Sequence, residues 1–266
     1  MAVIKALRSE TTVGRPKLVV EQPHQYCPGC QYGTVTRILA EAIEELGIEG
    51  ETIGVSAVGC SIMTHQYLAI DFIDALHGRA PEVASGVKHA HYGRPIVFTL
   101  QGDGDLAAIG MGDLINAINR GEKLTTIFLN NANYGTTGGQ MAPTTLLKQR
   151  SSTTPSGRDA GREGFPIHVA ELLTGLQGLV YSERCALNTV QNVRKAKKAV
   201  KKALQCQIDG LGYSFVELLS ACPSGWKKAP VDSLKWMSEE MIREFPLGVF
   251  KDVTAETESR EAVRGR

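Results

Sequence analysis

With 266 residues, 42% of them hydrophobic, the chain is long enough to bury a substantial core, and we favour one large domain over two small ones. Its 29 basic and 28 acidic side chains give a net charge of +1, so the composition provides no overall field that would attract nucleic acid or an anionic membrane. No apolar run approaches a membrane span, and the first residues lack the long apolar centre of a signal peptide, so we expect a cytoplasmic protein.

The N-terminal part combines an arm, a pair of cysteines and a helix. Residues 1–22 show no sustained periodicity, and we interpret them as an arm that packs on a neighbouring subunit, ahead of a main domain at 23–250. Cys27-Pro28-Gly29-Cys30 stands directly before apolar residues that repeat at helical spacing, and Gly47 ends that helix. Two thiols at this spacing form a chelating hairpin, which in a reducing compartment is typical of metal binding or redox activity.

The next segment predicts a strand and a loop at one edge of a sheet. Residues 52–58 form an apolar run typical of a buried strand, which delivers Gly59-Cys60-Ser61 to its carboxyl end. Pro81 is well placed in the first turn of a helix, so His77 and Arg79 lie in the loop before it. A loop histidine is most often simply solvated, and contact with a phosphate group is the alternative.

The centre of the sequence predicts a strand, a helix and a second strand. The apolar run 96–100 is followed by Gly102-Asp103-Gly104-Asp105, a helical segment at 106–119 and a second apolar run at 124–129, which ends in Asn130-Asn131. The carboxyl ends of parallel strands lie side by side at the edge where open α/β sheets bind ligands. We therefore expect Asp103 and Asn131 to meet in space.

The chemistry of this pair suits a magnesium ion that is shared with a phosphate. Mg²⁺ prefers oxygen ligands and usually shares them with phosphates, and a carboxylate with an amide oxygen supplies them. Gly102 and Gly104 let a diphosphate approach the backbone, and the helix start after Gly104 offers N–H donors. An ordinary tight turn is the alternative, which the two asparagines one crossover later disfavour.

Two irregular segments follow the asparagines. Residues 134–140 are too rich in glycine and hydroxyl groups for a regular element, and we expect them to wrap a cofactor. Residues 143–166 form a long polar loop, interpreted as a mobile cover over the site or as a subunit contact.

The C-terminal third predicts further helices and strands. Helices are expected at 167–176, 188–205 and 232–245, and strands at 178–183 and 213–220. Asn188 and Gln191 have the spacing of a capping box at the start of the second of these helices. Its many basic residues are interpreted as a solvated face, with a docking surface for an acidic partner or partner subunit as the alternative. Residues 251–266 are interpreted as a polar C-terminal tail.

The six cysteines fall into two groups. Four of them precede a helix or follow a strand end, namely Cys27, Cys30, Cys60 and Cys222. Cys185 closes a strand that resembles an edge strand, and Cys206 ends the basic helix, so both have a different context. Four thiolates suit zinc or an iron–sulfur cluster equally well by count, and their spacing does not choose between the two.

Taken together, the motifs resemble a known family. Gly-Asp-Gly followed by Asn-Asn resembles the signature of the thiamine pyrophosphate enzymes. With Cys-Pro-Gly-Cys, Gly-Cys-Ser, His-Gly-Arg-Ala, Tyr-Gly-x-Thr-Gly-Gly-Gln and a late Cys-Pro, residues from about 24 to 250 resemble the β subunit of 2-oxoacid:ferredoxin oxidoreductases, most closely the 2-oxoglutarate and branched-chain types. The resemblance implies the thiamine diphosphate-binding fold, an α/β domain with a mainly parallel sheet and helices on both faces.

The resemblance also implies three cofactors and their contacts. Asp103, Asn131 and the backbone carbonyl of Asn133 would bind Mg²⁺, while Cys27, Cys30, Cys60 and Cys222 would bind a [4Fe-4S] cluster. Contacts to thiamine pyrophosphate are implied for Val58, Gly59, Cys60, Ser61, His77, Gly102, Gly104, Asp105, Gly135 and Thr136. Many members have Asn-His at Gly112-Asp113 and Lys at Gly138, so contacts to the substrate are not carried over at these positions.

The implied activity is oxidative decarboxylation of a 2-oxo acid with coenzyme A to acyl-CoA and CO₂, with electrons passing through the cluster to ferredoxin. No catalytic residue is assigned to this chain, because the cofactor carries the chemistry. We expect an α-type subunit to supply the acid at the pyrimidine end of thiamine, with γ and ferredoxin-like δ subunits as further partners. The alternative source of that acid is a glutamate such as Glu82 or Glu163, of this chain or of its homodimer mate. Rival functions are a non-oxidative thiamine-dependent decarboxylase subunit and a non-catalytic metal-cluster module.

Overall fold

Seven strands form a single sheet in the computed structural model, which describes residues 14–254. The strands are β1 (Thr52–Ala57), β2 (Asp71–Ala75), β3 (Ile96–Gly102), β4 (Thr125–Asn130), β5 (Leu179–Ala186), β6 (Tyr213–Leu219) and β7 (Gly248–Asp252). Their order is β2-β1-β3-β4-β6-β5-β7, and every neighbouring pair is parallel except β5 and β7. The predicted mainly parallel sheet is confirmed.

Helices cover both faces of this sheet. The longer ones are α1 (Tyr32–Leu46), α2 (Ala80–Ala90), α3 (Met111–Asn119) and α6 (Val190–Ile208), and the short ones are α4 (Ala160–Glu163), α5 (Val169–Leu172), α7 (Pro223–Trp226), α8 (Pro230–Trp236) and α9 (Ile242–Glu244). One face packs against α1 and α6 through buried side chains such as Phe98 and Leu100. The other packs against α2 and α3 through Val97 and Phe128. No helix within residues 14–254 is both long and apolar enough to span a membrane.

The strand register brings the polar strand ends to one level. Gly102 of β3 pairs with Leu129 of β4, and Asn130 pairs with Leu219 of β6. The residues that follow each strand therefore emerge together at the carboxyl edge of the sheet. Every residue of β4 is buried, which explains why its apolar run was recognisable in the sequence.

Two edge strands and one helix cap differ from the sequence prediction. Neither β2 nor β7 was expected, and β7 includes Lys251 and Asp252, which the sequence analysis assigned to the tail. Because β7 pairs with β5, the strand that carries Cys185 is not an edge strand. Helix α6 begins after Thr189, whose hydroxyl accepts a hydrogen bond from the Asn192 backbone N–H, so the capping box at Asn188 is wrong by one residue.

The predicted arm and tail are only partly described, since residues 1–13 and 255–266 lie outside the described range. The described part of the arm, residues 14–22, packs on its own chain, and the expected contact with a neighbouring subunit stays a prediction. The Leu18 backbone N–H donates to the Glu44 carboxylate at 2.8 Å, and Leu18 O accepts from the Ala69 backbone N–H at 2.7 Å. The rest of the arm stays a prediction.

The long loop 143–166 is fixed by one buried arginine. The Arg158 guanidinium donates to the carbonyls of Pro143, Thr145, Gly164 and Phe165 at 2.5–3.0 Å. These bonds tie the two ends of the loop together. Its interpretation as a mobile cover over the site or as a subunit contact stays a prediction.

Candidate cofactor-binding site

A cavity of about 420 Å³ opens at the carboxyl edge of β1, β3 and β4. It brings together the three predicted magnesium ligands and nine of the ten predicted cofactor contacts. Its lining consists of Tyr32, Val58, Gly59, Cys60, His77, Gly102, Asp103, Gly104, Asp105, Asn131, Asn133, Tyr134, Gly135, Thr136, Thr137 and Gln140. The exception is Ser61, which is buried beside the cavity and donates its hydroxyl to Ala57 O at 2.9 Å.

Asp103 and Asn131 meet, as expected from the strand topology. Oδ2 of Asp103 accepts hydrogen bonds from the backbone N–H groups of Asn131 and Asn133, both at 3.1 Å, and from the Thr144 hydroxyl at 2.9 Å. Oδ1 has only the N–H of the adjacent Gly104, at 3.2 Å. Burial raises the pKa of the Asp103 carboxyl to about 7 despite these bonds. A buried carboxylate that lacks a counter-charge among its neighbours suits a cation.

The turn after β4 is held in an unusual backbone conformation. Ala132 has φ 55°, and its N–H donates to Asn130 Oδ1 at 3.1 Å. The Asn130 amide also donates to Glu217 at 2.8 Å, so the first of the two asparagines faces the sheet rather than the cavity. The Asn133 amide donates to Asn131 O and Oδ1 at 2.8 and 3.2 Å, while its own buried oxygen has no partner among the described residues.

His77 and Asp105 form the opposite wall of the cavity. His77 Nδ1 lies 2.7 Å from Val58 O, and because a carbonyl can only accept, Nδ1 carries the proton and Nε2 is left as an acceptor. Asp105 accepts from the Gly78 N–H and from the Gln101 amide. Burial raises the pKa of the Asp105 carboxyl to about 6. The side chain of Asp105 therefore fixes the His77 loop.

Tyr134 requires a glycine at position 104. A methyl group on Gly104 would lie 2.1 Å from the Tyr134 ring, so no larger residue fits without displacing that ring. A π-helical turn, Asp105–Ile109, starts directly after Gly104, and such turns are frequent at functional sites.

Two tyrosines that line the cavity were not predicted as contacts from the sequence. Tyr134 lay within a recognised motif and could have been predicted as a lining residue. Tyr32 looks in the sequence like an ordinary core residue of α1, and no pattern marked it.

Two of the four grouped cysteines flank one glycine of the cavity. A methyl group on Gly135 would lie 3.2 Å from Cys222 Sγ and 3.7 Å from Cys60 Sγ. Burial, together with a smaller contribution from neighbouring cysteine thiols, raises the pKa of the Cys30 thiol to about 12 and that of the Cys222 thiol to about 11. Within residues 14–254, no three His, Cys, Asp or Glu side chains are close enough to hold a single metal ion.

The hairpin of Cys27 and Cys30 packs against the segment that follows Cys222. A methyl group on Gly29 would lie 2.5 Å from Pro230 and 3.2 Å from Pro223, so this loop and the start of α7 are in close contact. The thiol of Cys185 instead donates to Glu183 at 3.4 Å, and Cys206 is buried within α6.

Neither glutamate considered as an internal acid lines the cavity. Glu82 lies 3.5 Å from Arg79 at the start of α2. Glu163 accepts from the Asp159 backbone N–H at 2.7 Å. Both carboxylates are engaged in local structure elsewhere.

The chain is similar to one protein family and to several known proteins. Residues 57–218 match the family described as thiamine pyrophosphate enzyme, C-terminal TPP binding domain. Ketoisovalerate oxidoreductase subunit VorA of Methanothermobacter marburgensis is 46% identical over 233 residues, which cover 88% of this chain and 48% of that one. The chain thus spans about half the length of this relative. 2-Oxoglutarate synthase subunit KorB of Methanocaldococcus jannaschii is 33% identical over 249 residues, which cover 91% of this chain and 86% of that subunit.

The same fold occurs in a solved structure. A chain of the 2-oxoglutarate:ferredoxin oxidoreductase from Magnetococcus marinus, solved with 2-oxoglutarate, coenzyme A and succinyl-CoA bound, superposes with a TM-score of 0.74. It is 22% identical, and the match covers 96% of this chain and 93% of that one. The predicted fold class is thereby confirmed.

Proposed function

Because this chain belongs to the β subunits of 2-oxoacid:ferredoxin oxidoreductases and carries their thiamine pyrophosphate-binding domain, we propose that it serves in the oxidative decarboxylation of a 2-oxo acid. The products would be acyl-CoA and CO₂, with coenzyme A as co-substrate and ferredoxin as electron acceptor. The substrate would be 2-oxoglutarate or a branched-chain 2-oxo acid, the classes named for the KorB and VorA relatives. The observation that carries the proposal is the cavity, where the Asp103–Asn131 pair and the Cys60–Cys222 pair share one sheet edge.

In this proposal Asp103, Asn131 and the Asn133 carbonyl bind Mg²⁺. The buried Asp103 carboxyl supports it, because a divalent cation would offset the cost of burying that charge. The Thr144 hydroxyl and two backbone N–H groups donate to Asp103 Oδ2 and so orient the carboxylate, which leaves Oδ1 with spare acceptor capacity.

The diphosphate of thiamine would lie along Gly104 and Gly135. Because glycine has no side chain, the space between Gly104 and Tyr134 stays open, as does the space between Gly135 and the Cys60–Cys222 pair. The N–H groups at the start of the π-helical turn Asp105–Ile109 are donors for the phosphate oxygens. His77 adds a polar contact, with its orientation set by Val58 O.

The cluster would be held by Cys27, Cys30, Cys60 and Cys222. Burial raises the pKa of the Cys30, Cys60 and Cys222 thiols, so these three hold their protons until metal binding displaces them. The Thr136 hydroxyl, 2.9 Å from Cys60 Sγ, can donate to the sulfur after deprotonation and so tune the cluster's potential.

When bound, thiamine pyrophosphate supplies carbanion chemistry next to the substrate ketone, and the cluster accepts electrons singly. The chain's own residues bind and orient. Asp103 and the turn at Ala132 fix the metal end, while His77 and Asp105 hold the wall facing it. Apolar side chains around the mouth, such as Val58 and Tyr134, reduce access of water to the reacting end.

A partner subunit is proposed to close the cavity. Its rim on the His77 side presents exposed apolar side chains, namely Val58 (44% exposed), Leu76 (76%) and Ile109 (55%). A cluster of this kind is typical of a protein contact. An α-type subunit seated here would bring the acid that contacts the pyrimidine. The place of Glu82 and Glu163 outside the cavity lining of their own chain supports this proposal. Subunits of γ and ferredoxin-like δ type would complete the electron path.

Metal and cofactor analysis tests the proposal. About four iron atoms per chain together with bound thiamine pyrophosphate are expected in protein purified without oxygen. Serine variants of Cys27, Cys30, Cys60 and Cys222 should lose iron and the visible absorbance that dithionite bleaches. Cys185→Ser and Cys206→Ser serve as matched controls and should keep both. Zinc in place of iron would indicate a non-oxidative decarboxylase, and metal without thiamine would indicate a non-catalytic module.

Activity provides the second test. The isolated chain, loaded with cluster and cofactor, should show no 2-oxo-acid-dependent reduction of ferredoxin or viologen until an α-type subunit is added. Turnover by the isolated chain would contradict the proposed division of the active site.

A further inference from the structure

A second cavity lies behind the turn at Asn131–Asn133. Its volume is about 300 Å³, and it is lined by Trp226, Trp236, Lys148, Gln149, Arg150 and Lys228. The two indole rings lie 4.5 Å apart at 60° and form an aromatic floor. Three of the six lining residues are cations and none is a carboxylate, so the cavity favours an anionic ligand or partner.

The positive charge of this cavity is not compensated within the fold. Lys148, Arg150 and Lys228 form no ion pair with any residue in 14–254. The basic helix α6 differs, because Lys197 and Lys201 both pair with Glu45 of α1 at 2.8–2.9 Å. Part of the basic face of α6 is therefore used inside the chain, whereas the cations of the cavity remain available.

The cavity adjoins the segment that carries Cys222. Trp226 donates its backbone N–H to Cys222 O at 2.9 Å, which places the indole one helical turn from this cysteine. The loop with Cys27 packs on the same segment through Gly29, Pro223 and Pro230. If these thiols hold the cluster, the cavity lies next to it.

The wall of the cavity is tied to the metal-binding turn. The Trp226 indole N–H donates to Asn131 O at 2.8 Å, and the Gln149 amide donates to Ala132 O at 3.0 Å. These bonds fix both loops that carry the cations, so the surface is preorganised for a partner.

We propose that Lys148, Arg150 and Lys228, with Trp226 and Trp236, form the docking surface for the acidic protein that takes electrons from the cluster. The inference rests on the proposed function. Each encounter moves one electron from the reduced cluster to the acceptor, so the cluster is oxidised, the acceptor is reduced, and no atom is transferred. The two tryptophans and Arg150 are residue types enriched at protein interfaces, and opposite charge speeds the encounter of redox partners.

A pair of charge reversals tests the surface in the holoenzyme with its partner subunits. Arg150→Glu and Lys228→Glu are combined, because both side chains are exposed and neither has the left-handed backbone of Lys148. The matched control combines Arg94→Glu and Lys123→Glu, an identical change of charge just before β3 and β4, at the opposite edge of the sheet. Reduction of a ferredoxin of net negative charge and of benzyl viologen is measured at low and moderate ionic strength.

We expect kcat/KM for ferredoxin to fall by about tenfold or more in the Arg150/Lys228 variant at low salt, because charge complementarity sets the association rate. The Arg94/Lys123 control should reduce ferredoxin at the wild-type rate, and viologen reduction should be unchanged in both variants. Added salt should slow ferredoxin reduction by the wild type and the control but not by the Arg150/Lys228 variant. Wild-type ferredoxin kinetics in the Arg150/Lys228 variant would overturn the inference. A wild-type holoenzyme that reduces neither acceptor would instead contradict the proposed function.

Discussion

The surroundings of Asp103 identify it as a candidate metal ligand. Its carboxyl is buried and receives four hydrogen bonds, yet burial still raises its pKa to about 7. The hydrogen bonds alone do not compensate for burial, and a cation would. The sequence motif predicted this position. The hydrogen bond from Thr144 was not predictable, because Thr144 lies in a loop far away in the sequence and belongs to no recognised motif.

We expect Asp103→Ala to weaken binding of thiamine pyrophosphate in Mg²⁺ by at least about 100-fold while the chain still folds, because an anionic metal ligand is lost. Calorimetric titration measures the affinity, and circular dichroism monitors the fold. Asp71→Ala, an exposed carboxylate at the amino end of β2, is the control and should bind like the wild type. Unchanged affinity in Asp103→Ala would remove the proposed metal site.

A pair of glycine substitutions separates close packing from helix propensity. Gly104→Ala places a methyl group against the Tyr134 ring and should lower the free energy of unfolding by about 1–3 kcal/mol. Gly112→Ala, in α3 with nothing within 4 Å, should raise it by about 0.5–1 kcal/mol. Urea denaturation of both variants provides the comparison. Equal stability of the two would show that Tyr134 does not constrain position 104.

At the scale of elements, β4, β5 and β6 share a buried charged network. The Arg184 side chain on β5 is fully buried and lies 2.9 Å from the equally buried Glu217 on β6, which accepts from Asn130 at the end of β4. Glu171 of α5 also pairs with Arg184. Charges of this kind are costly to bury, and this network fixes the end of β4 from which the turn at Asn131–Asn133 starts.

We expect Arg184→Met to lower the free energy of unfolding by about 3–5 kcal/mol, because it leaves Glu217 charged, buried and without its partner. Combining it with Glu217→Leu should recover part of that loss, since the second substitution removes the orphaned charge. A double-mutant cycle by denaturant unfolding measures the coupling. Additive losses would indicate that the two side chains act independently.

Burial decided which elements were predictable from the sequence. The central strands β1, β3, β4 and β6 are almost entirely buried and appear as apolar runs. β2 is mostly exposed and contains two aspartates, and β7 is half-buried, so neither has a clear apolar run. For the site, topology alone brought Asp103 and Asn131 together. The second cavity was not foreseen, because Lys148 and Trp226 lie far apart in the sequence and share no motif.

For the whole molecule, the exposed apolar rim leads to a prediction about assembly. Leu76→Asp should leave the stability of the isolated chain within about 0.5 kcal/mol, because the side chain is 76% exposed. It should weaken association with the α-type subunit by about tenfold or more, because a charge would be buried at the contact. Analytical ultracentrifugation of the mixed subunits measures this. Val190→Asp is the control, because Val190 on α6 is also apolar and 70% exposed. A larger effect of this control would place the interface at α6 instead.

The position of β6 between β4 and β5 affects how the protein matures on the ribosome. Cys60 leaves the ribosome about 160 residues before Cys222, which follows β6. At roughly 5–20 residues per second, the first three grouped thiols wait about 10–30 s for the fourth. β5 is synthesised in the last part of that interval and at first lacks β6, the strand that joins it to β4. For the proposed [4Fe-4S] cluster, the four cysteines would come together only after β6 has been synthesised, and the nascent thiols would have to stay reduced until then.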